Sequence, residues 1–145
     1  MDRVVKRAAA VMLAIVLAIA AYATYRLVNP VYEKDGIAII DVRLSTREDR
    51  DNPELVVLYQ NRTGKDNGAF VSFRLYDKDG KEAGIAYGTA GSGGVSPPIS
   101  NGWIGVARCP MATYKYFLET PEGLTNKEKI EDIASWEISV AFPLY

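Results

Sequence analysis

The hydrophobic pattern divides the chain into two parts, of which the first is an apolar run. This uncharged run extends from Ala8 to Tyr25 and follows the basic residues Arg3, Lys6 and Arg7. A helix over residues 8–28 is about 31 Å long, which is enough to cross a hydrocarbon core of about 30 Å. Because the basic residues lie before the run, we expect a cytoplasmic N-terminus and a C-terminal domain on the outer side, in the periplasm or at the cell surface.

The predicted helix carries two features that point to its surroundings. Ala10, Ala14 and Ala18 recur every four residues and form a stripe of small side chains along which a second helix could pack closely. Tyr22 and Tyr25 lie at the outer end, where aromatic rings favour the membrane–water interface. The expected partners are membrane lipid and other membrane or surface protein subunits, with a second copy of this chain as one option.

The same N-terminal pattern allows two processed forms. A basic start, an apolar run and the small residues Ala21 and Ala23 fit a cleaved signal peptide, and a pilin-type leader would be cut near Ala8. The apolar region of a signal peptide usually spans about 7 to 15 residues, which is shorter than this run. The run also lacks an early acidic residue, and no glycine precedes it. A retained signal-anchor within residues 1–28 is therefore the prediction.

Beyond Pro30 the pattern changes to short apolar or alternating segments separated by turn residues. A linker is predicted over 29–36 and a domain over 37–145. Pro110 is predicted to separate two of the strands. The predicted elements are strands at 37–44, 55–60, 69–76, 81–89, 102–109, 114–119 and 136–145, and a short helix over 125–134. This spacing predicts an all-β fold, a seven-stranded immunoglobulin-like antiparallel β-sandwich preceded by a single transmembrane α-helix.

The last predicted strand is apolar and alternating. Its large side chains at every second position are Trp136, Ile138, Val140 and Phe142. A terminal strand of this kind is a candidate edge for strand addition to the sheet of another molecule.

Charge and composition argue against several classes of function. Residues 1–28 carry four basic and one acidic side chain, and residues 29–145 carry 13 basic and 17 acidic ones, so the net charges are +3 and −4. An acidic domain argues against nucleic acid as a partner. The chain has no histidine, the commonest general base, and no P-loop, zinc or nucleophile-elbow motif. We therefore expect a non-enzymatic protein without a cofactor or a metal site.

Two single residues complete the candidate chemistry. Asn61 begins the sequence Asn-Arg-Thr, an N-glycosylation sequon on a predicted exposed loop. Cys109 is the only cysteine, so no intrachain disulfide can form. Its apolar neighbours predict that the thiol is a small buried side chain.

The strand that ends at Asp77 carries a family-like motif. Residues 73–77 read Phe-Arg-Leu-Tyr-Asp and are followed by Lys-Asp-Gly, while the strand before leads to Asn61 and polar turn residues and a later strand carries Trp103. Residues 54–120 thus resemble the FxLYD domain, a small β-sandwich module of membrane-anchored or secreted bacterial and archaeal proteins. The turn at 96–102 departs from the family pattern. The resemblance implies a fold and a location, and it implies no catalysis.

These observations favour one function and leave two alternatives. The favoured function is an accessory subunit, in which the β-domain makes structural or interaction contacts within a larger membrane or cell-surface assembly. The first alternative is a pilin-like or strand-exchanging subunit of a surface filament. The second is a secreted or anchored module that binds a ligand.

Overall fold

The structure is a computed structural model that describes residues 2–45, 53–93, 96–113 and 133–145. The chain forms two compact units, Met1–Pro30 and Val31–Tyr145. The first contains one helix and the second contains strands. In chain order the elements are α1 (Asp2–Val28), β1 (Tyr32–Lys34), β2 (Ile37–Ser45), β3 (Glu54–Asn61), β4 (Ala69–Asp77), β5 (Glu82–Ala90), β6 (Ile104–Thr113) and β7 (Ile133–Pro143).

The strands form one antiparallel sheet that is folded over on itself. Their hydrogen-bonded order is β1-β2-β3-β6-β5-β4-β7. Strand β6 belongs to both halves, because residues 104–110 pair with β3 and residues 111–113 pair with β5. Strands β4, β5 and β6 lie side by side in chain order, and β7 returns to lie beside β4, which is the arrangement of a Greek key. The predicted all-β fold with seven antiparallel strands and one apolar N-terminal helix is confirmed.

The hydrophobic core lies between the two halves of the sheet. Alternation along β4 turns Val71, Phe73 and Leu75 inward, and all three are fully buried. Strand β6 faces β4 across the core, since the Cys109 Sγ atom lies 3.8 Å from the carbonyl oxygen of Val71. The remaining buried core side chains are Ile37, Ile39, Leu55, Val57, Tyr59, Ala69, Ala86, Ala90, Ala107, Met111 and Ala141. The expected burial of Cys109 is confirmed.

The segment predicted as a linker contains a strand. Tyr32–Lys34 forms β1 and pairs with β2 in the register Lys34 to Ile37. The two residues between them, Asp35 and Gly36, have φ values of 53° and 84°. Positive φ at both central residues is the requirement of a type I′ turn, whose twist matches a two-residue hairpin. The linker prediction for 29–36 is therefore wrong over β1.

Strand β6 continues through Pro110 instead of ending there. Pro110 lies opposite Glu54, and the next residue, Met111, donates its N–H to the Pro53 oxygen at 3.1 Å. Because paired positions alternate along an antiparallel ladder, the missing N–H of Pro110 points away from β3. The proline therefore removes no hydrogen bond between β3 and β6, and the predicted strand end is wrong.

The C-terminal part of the predicted short helix is also a strand. Ile133 and Ala134 belong to β7, which pairs with β4 from Asp77 onward. Pairing to β4 outweighs the helical preference of Ala134, and the β-branched Ile133 favours a strand. The predicted strand at 114–119 and residues 125–132 of the predicted helix lie outside the described residues.

Candidate functional site

The surface of α1 is apolar and exposed over most of its length. The helix has 27 residues and is about 40 Å long at 1.5 Å per residue. It is long and apolar enough to cross a membrane, and none of its residues is buried. A signal sequence near the N-terminus meets the same criteria of length and hydropathy, so these two properties alone show neither retention of the helix nor its orientation.

The alanine stripe lies along α1 as predicted from its spacing. Ala10, Ala14 and Ala18 are exposed, and each lies about one helical turn from the next. Larger apolar side chains of α1, among them Leu13 and Leu17, are exposed by 60%. The stripe is therefore a shallow groove between taller side chains, a shape that admits a second helix closely.

The outer end of α1 combines aromatic and polar groups. The Arg26 Nε atom donates to the Tyr22 hydroxyl at 3.2 Å, and the guanidinium carbon lies 5.5 Å from the centroid of the same ring. The Tyr25 carbonyl accepts from both the backbone N–H and the side-chain amide of Asn29, at 2.7 Å and 3.2 Å. An arginine beside exposed tyrosines is typical of the membrane–water interface, where the charge reaches water along an aromatic body.

The last strand divides its large side chains between two faces. A β-bulge at Ser139 shifts the register between β4 and β7, so the alternation is interrupted. Trp136 and Ile138 pack against the core. Beyond the bulge, Phe142 is 40% exposed and lies on the outer face with Val140. The four side chains therefore do not form one apolar stripe, which corrects the simple alternation predicted for this strand.

The edge of β7 carries features that oppose strand addition. Among the described residues β7 is the last strand of the sheet order. Leu144 donates its N–H to the Gly68 carbonyl at 3.1 Å, so the adjacent Pro143 has its nitrogen on the free edge and cannot donate there. A proline and a bulge are two devices by which natural sheets protect their edges.

An aromatic row on the outer face of β5, β4 and β7 was not predicted as a unit. The Phe70 ring stacks on Phe142 with centroids 4.8 Å apart and lies 6.3 Å from the Tyr87 ring. The closer separation equals the spacing of neighbouring strands, about 4.8 Å, so the rings stand side by side on the sheet. The three rings therefore present their edges outward. A sugar stacks on the face of a ring, so this row is less suited to binding a sugar than a ring with a free face. The alternation of side chains along β4 places Phe70 on the outer face, and this alternation is the sequence feature that could have predicted the aromatic row.

The structure contradicts the exposed loop predicted at the sequon. Asn61 is the last residue of β3 and is fully buried. Its Nδ2 atom donates to the Lys65 and Ile99 carbonyl oxygens at 2.7 Å and 2.9 Å. Its Oδ1 atom accepts from the Thr63 N–H and hydroxyl at 3.0 Å and 2.7 Å. The amide nitrogen is therefore inaccessible to a glycan in the folded domain.

Acidic residues of the β4–β5 hairpin stabilise the turn. The Asp77 Oδ1 atom accepts from the backbone N–H groups of Asp79 and Lys81 at 2.9 Å and 3.0 Å. Gly80 completes the turn with a φ of 75°. Within the described ranges, no group of three or more Cys, Asp or Glu side chains is placed to hold a metal ion.

No family model, curated protein or solved structure matches the chain. The FxLYD resemblance therefore stays a prediction from the residues that carry it.

Proposed function

We propose that the protein is a single-pass membrane protein and a non-enzymatic accessory subunit of a larger membrane or cell-surface assembly. One observation carries this proposal. The helix α1 is apolar along its membrane-length surface, and none of its residues is buried. Because exposing such a surface to water is unfavourable, the helix requires lipid or other helices around it.

The orientation follows from charge and belongs to the same proposal. The basic residues Arg3, Lys6 and Arg7 precede the apolar run, and the interface-type contact of Arg26 with Tyr22 lies at its other end. With the positive flank cytoplasmic, the β-domain lies outside the cytoplasm. The alanine stripe then offers the surface along which α1 packs on a helix of another subunit.

The β-domain supports an interaction role. Its Greek-key strand order supports the immunoglobulin-like assignment, since such sandwiches share that connectivity. The FxLYD resemblance of residues 54–120 agrees with a module outside the cytoplasm. Strand exchange in a filament is less favoured, because Pro143 and the bulge at Ser139 protect the edge of β7.

The experiment that tests the proposal is native mass spectrometry of the full chain, extracted in mild detergent from its own membrane. We expect the intact chain to travel with other membrane proteins in fixed stoichiometry. A chain that begins near Ala8 or Thr24 and is found alone or in homopolymers would overturn the proposal in favour of a filament subunit or a secreted module.

A pair of alanine variants tests whether the stripe makes the contact. Ala14→Phe fills the groove, so we expect the co-purifying subunits to be lost or much reduced. Ala23→Phe makes the same chemical change nine residues later, on the opposite face of the helix, and should leave the complex intact. Equal complex recovery from the two variants would exclude the stripe as the packing surface.

A further inference from the structure

Two asparagines of the chain are followed by glycine, at Asn67–Gly68 and Asn101–Gly102. In such a sequence the glycine nitrogen, after losing its proton to hydroxide, can attack the Cγ atom of the asparagine, because no Cβ atom on the following residue hinders the approach. A bond forms between this nitrogen and Cγ, and ammonia leaves with a proton from water, so that a succinimide ring results. Water then opens the ring to aspartate or isoaspartate. The two Asn-Gly sequences are therefore the most reactive sites of this kind in the chain.

Close backbone packing requires the glycine of the first sequence. A Cβ atom added to Gly68 would lie well inside contact distance of the Ala90 and Gly91 carbonyl oxygens. Backbone atoms cannot rotate away as a side chain can, so a larger residue would force the loop before β4 away from the end of β5. The fold therefore requires glycine after Asn67, and the reactive sequence is a consequence of that requirement.

The folded domain protects Asn67 from this reaction. Its side chain is fully buried, so water and hydroxide do not reach it. Its Nδ2 atom, which would leave as ammonia, donates to the Tyr145 oxygen at 2.9 Å and to the Thr63 hydroxyl at 3.3 Å. The Gly68 N–H donates to the Asn67 Oδ1 atom at 3.0 Å, so the nitrogen keeps its proton and presents it, instead of an electron pair, to the side chain. We therefore expect Asn67 to react only in the unfolded chain.

The product of the reaction cannot replace asparagine in the fold. A carboxylate has no N–H group, so at position 67 it cannot donate to the Tyr145 oxygen or to the Thr63 hydroxyl. Its negative charge would also be buried beside the Tyr145 oxygen, whose own negative charge repels it. We propose that Asn67 is a site of spontaneous deamidation, which occurs while the chain is unfolded and prevents the chain from folding afterwards. The reaction therefore limits how long the chain can stay unfolded and still fold.

The second Asn-Gly sequence is an internal reference for the first. Asn101 is exposed, and its Oδ1 atom accepts from the Gly64 N–H at 2.9 Å. An aspartate side chain can accept the same hydrogen bond and keeps its charge in water. In the unfolded chain the two sequences react alike, because no contact of the fold distinguishes them. Conversion to aspartate should therefore be tolerated at Asn101 and not at Asn67.

Incubation of the full chain in detergent at pH 8, with and without guanidinium chloride, tests the proposal. After removal of the denaturant, size-exclusion chromatography separates refolded from aggregated chains, and peptide mass spectrometry distinguishes asparagine, aspartate and isoaspartate at position 67. We expect Asn67 to stay intact in the native sample and to be converted in the denatured one. The refolded yield should fall in proportion to the converted fraction, and the converted chains should be found among the aggregated ones.

Three results of this incubation would overturn the proposal. The first is equal conversion of Asn67 in the native and denatured samples. The second is no conversion of Asn67 in the denatured chain. The third is an equal share of converted residue in the refolded and aggregated fractions, which would mean that the product folds as well as asparagine does.

Matched variants separate Asn67 from other damage to the denatured chain. Asn67→Asp should fail to refold or should unfold at a much lower urea concentration, whereas Asn101→Asp should unfold close to the midpoint of the unsubstituted chain. Asn101→Gln removes the second reactive sequence, because the longer glutamine side chain closes the ring far more slowly. Its refolded yield should fall as fast as that of the unsubstituted chain. Equal urea midpoints for the two aspartate variants, or a refolded yield that no longer falls in Asn101→Gln, would overturn the proposal.

Discussion

Asn67 binds the backbone of Tyr145 through both ends of its side-chain amide. Its Nδ2 atom donates to the Tyr145 oxygen at 2.9 Å, and its Oδ1 atom accepts from the Tyr145 N–H at 3.0 Å. The same Oδ1 atom accepts from the Gly68 N–H at 3.0 Å. Asn67 is fully buried and 78 residues distant in sequence from Tyr145, so one side chain attaches the end of the last strand to the loop before β4.

The first prediction follows from this contact. Asn67→Ala removes four hydrogen bonds, to Thr63, Gly68 and twice to Tyr145, and leaves the buried Gly68 N–H unpaired, so we expect the free energy of unfolding to fall by about 2–4 kcal/mol. Both tryptophans, Trp103 and Trp136, lie in the β-domain, so urea unfolding of the full chain in detergent can be followed by their fluorescence. Asn101→Ala is the control, because Asn101 is exposed and should cost under about 1 kcal/mol. A similar loss in the two variants would contradict the structural role of Asn67.

The second prediction concerns the crossing of β5 and β6. A Cβ atom added at Gly88 would lie well inside contact distance of the Arg108 carbonyl oxygen, a backbone atom that cannot rotate away. We expect Gly88→Ala to lower the free energy of unfolding by about 2–3 kcal/mol through overpacking. Thr89→Ala, at the exposed neighbouring position, should change it by less than about 0.5 kcal/mol. Unchanged urea midpoints in both variants would show that the strands can separate at this point without cost.

The third prediction concerns the Tyr59 hydroxyl. Tyr59 is fully buried, and among the described residues its Oη atom has no hydrogen-bond partner. A buried hydroxyl without a partner is destabilising, so Tyr59→Phe should leave the free energy of unfolding unchanged or raise it by up to about 1 kcal/mol. Tyr87→Phe, at a side chain that is 56% exposed, is the matched control and should have no effect. A loss above about 1 kcal/mol for Tyr59→Phe would mean that this hydroxyl does have a partner.

Side-chain alternation predicted the parts of the fold that depend on a period of two. Strand β4 was predicted almost to the residue, because Val71, Phe73 and Leu75 alternate with outward residues over nine positions. Strand β1 has only three residues, too few to show a period, and it depends on the positive φ values of Asp35 and Gly36. Alternation also cannot show a bulge, so the division of β7 at Ser139 required the pairing with β4.

Burial of polar residues was harder to predict than burial of apolar ones. Asn61 belongs to a sequon and to a polar stretch, and both features favour exposure. Its burial depends on the carbonyl oxygens of Lys65 and Ile99, and the second of these is 38 residues distant in sequence. The placement of Arg43 and Arg108 on either side of Val56 has the same origin, since it depends on the order of the strands.

The fourth prediction concerns the dependence of stability on pH. Burial, and to a lesser degree the charge of Glu54, raises the pKa of the Cys109 thiol from 9.0 to about 12. Between these two values the folded domain keeps a proton that the unfolded chain loses, so stability falls as the pH rises from about 9 towards 12. Below pH 9 the contribution is fully present. The thiol should also resist an aqueous thiol reagent at pH 8 until urea unfolds the domain.

The Cys109→Ala variant isolates this effect from the titration of lysines and tyrosines. It should show a smaller loss of stability between pH 9 and pH 11 than the unsubstituted chain, measured by the urea midpoint. Identical pH profiles for the two proteins, or rapid thiol labelling of the folded domain, would contradict the burial of Cys109.

The fifth prediction compares the two ion pairs of the outer face. The Glu54 side chain is 5% exposed, whereas in the other pair the Asp41 side chain is 19% and the Arg43 side chain 77% exposed. Removing a partner from a buried carboxylate costs more than removing one from a solvated pair, because solvent cannot replace the lost contact fully. We therefore expect Arg108→Ala to lower the free energy of unfolding by about 1–3 kcal/mol and Arg43→Ala by less than about 0.5 kcal/mol. Arg108→Lys should recover part of the loss, because it restores the charge but not the planar donor group. Equal urea midpoints for the two alanine variants would contradict the prediction and would mean that Glu54 does not depend on Arg108 for stability.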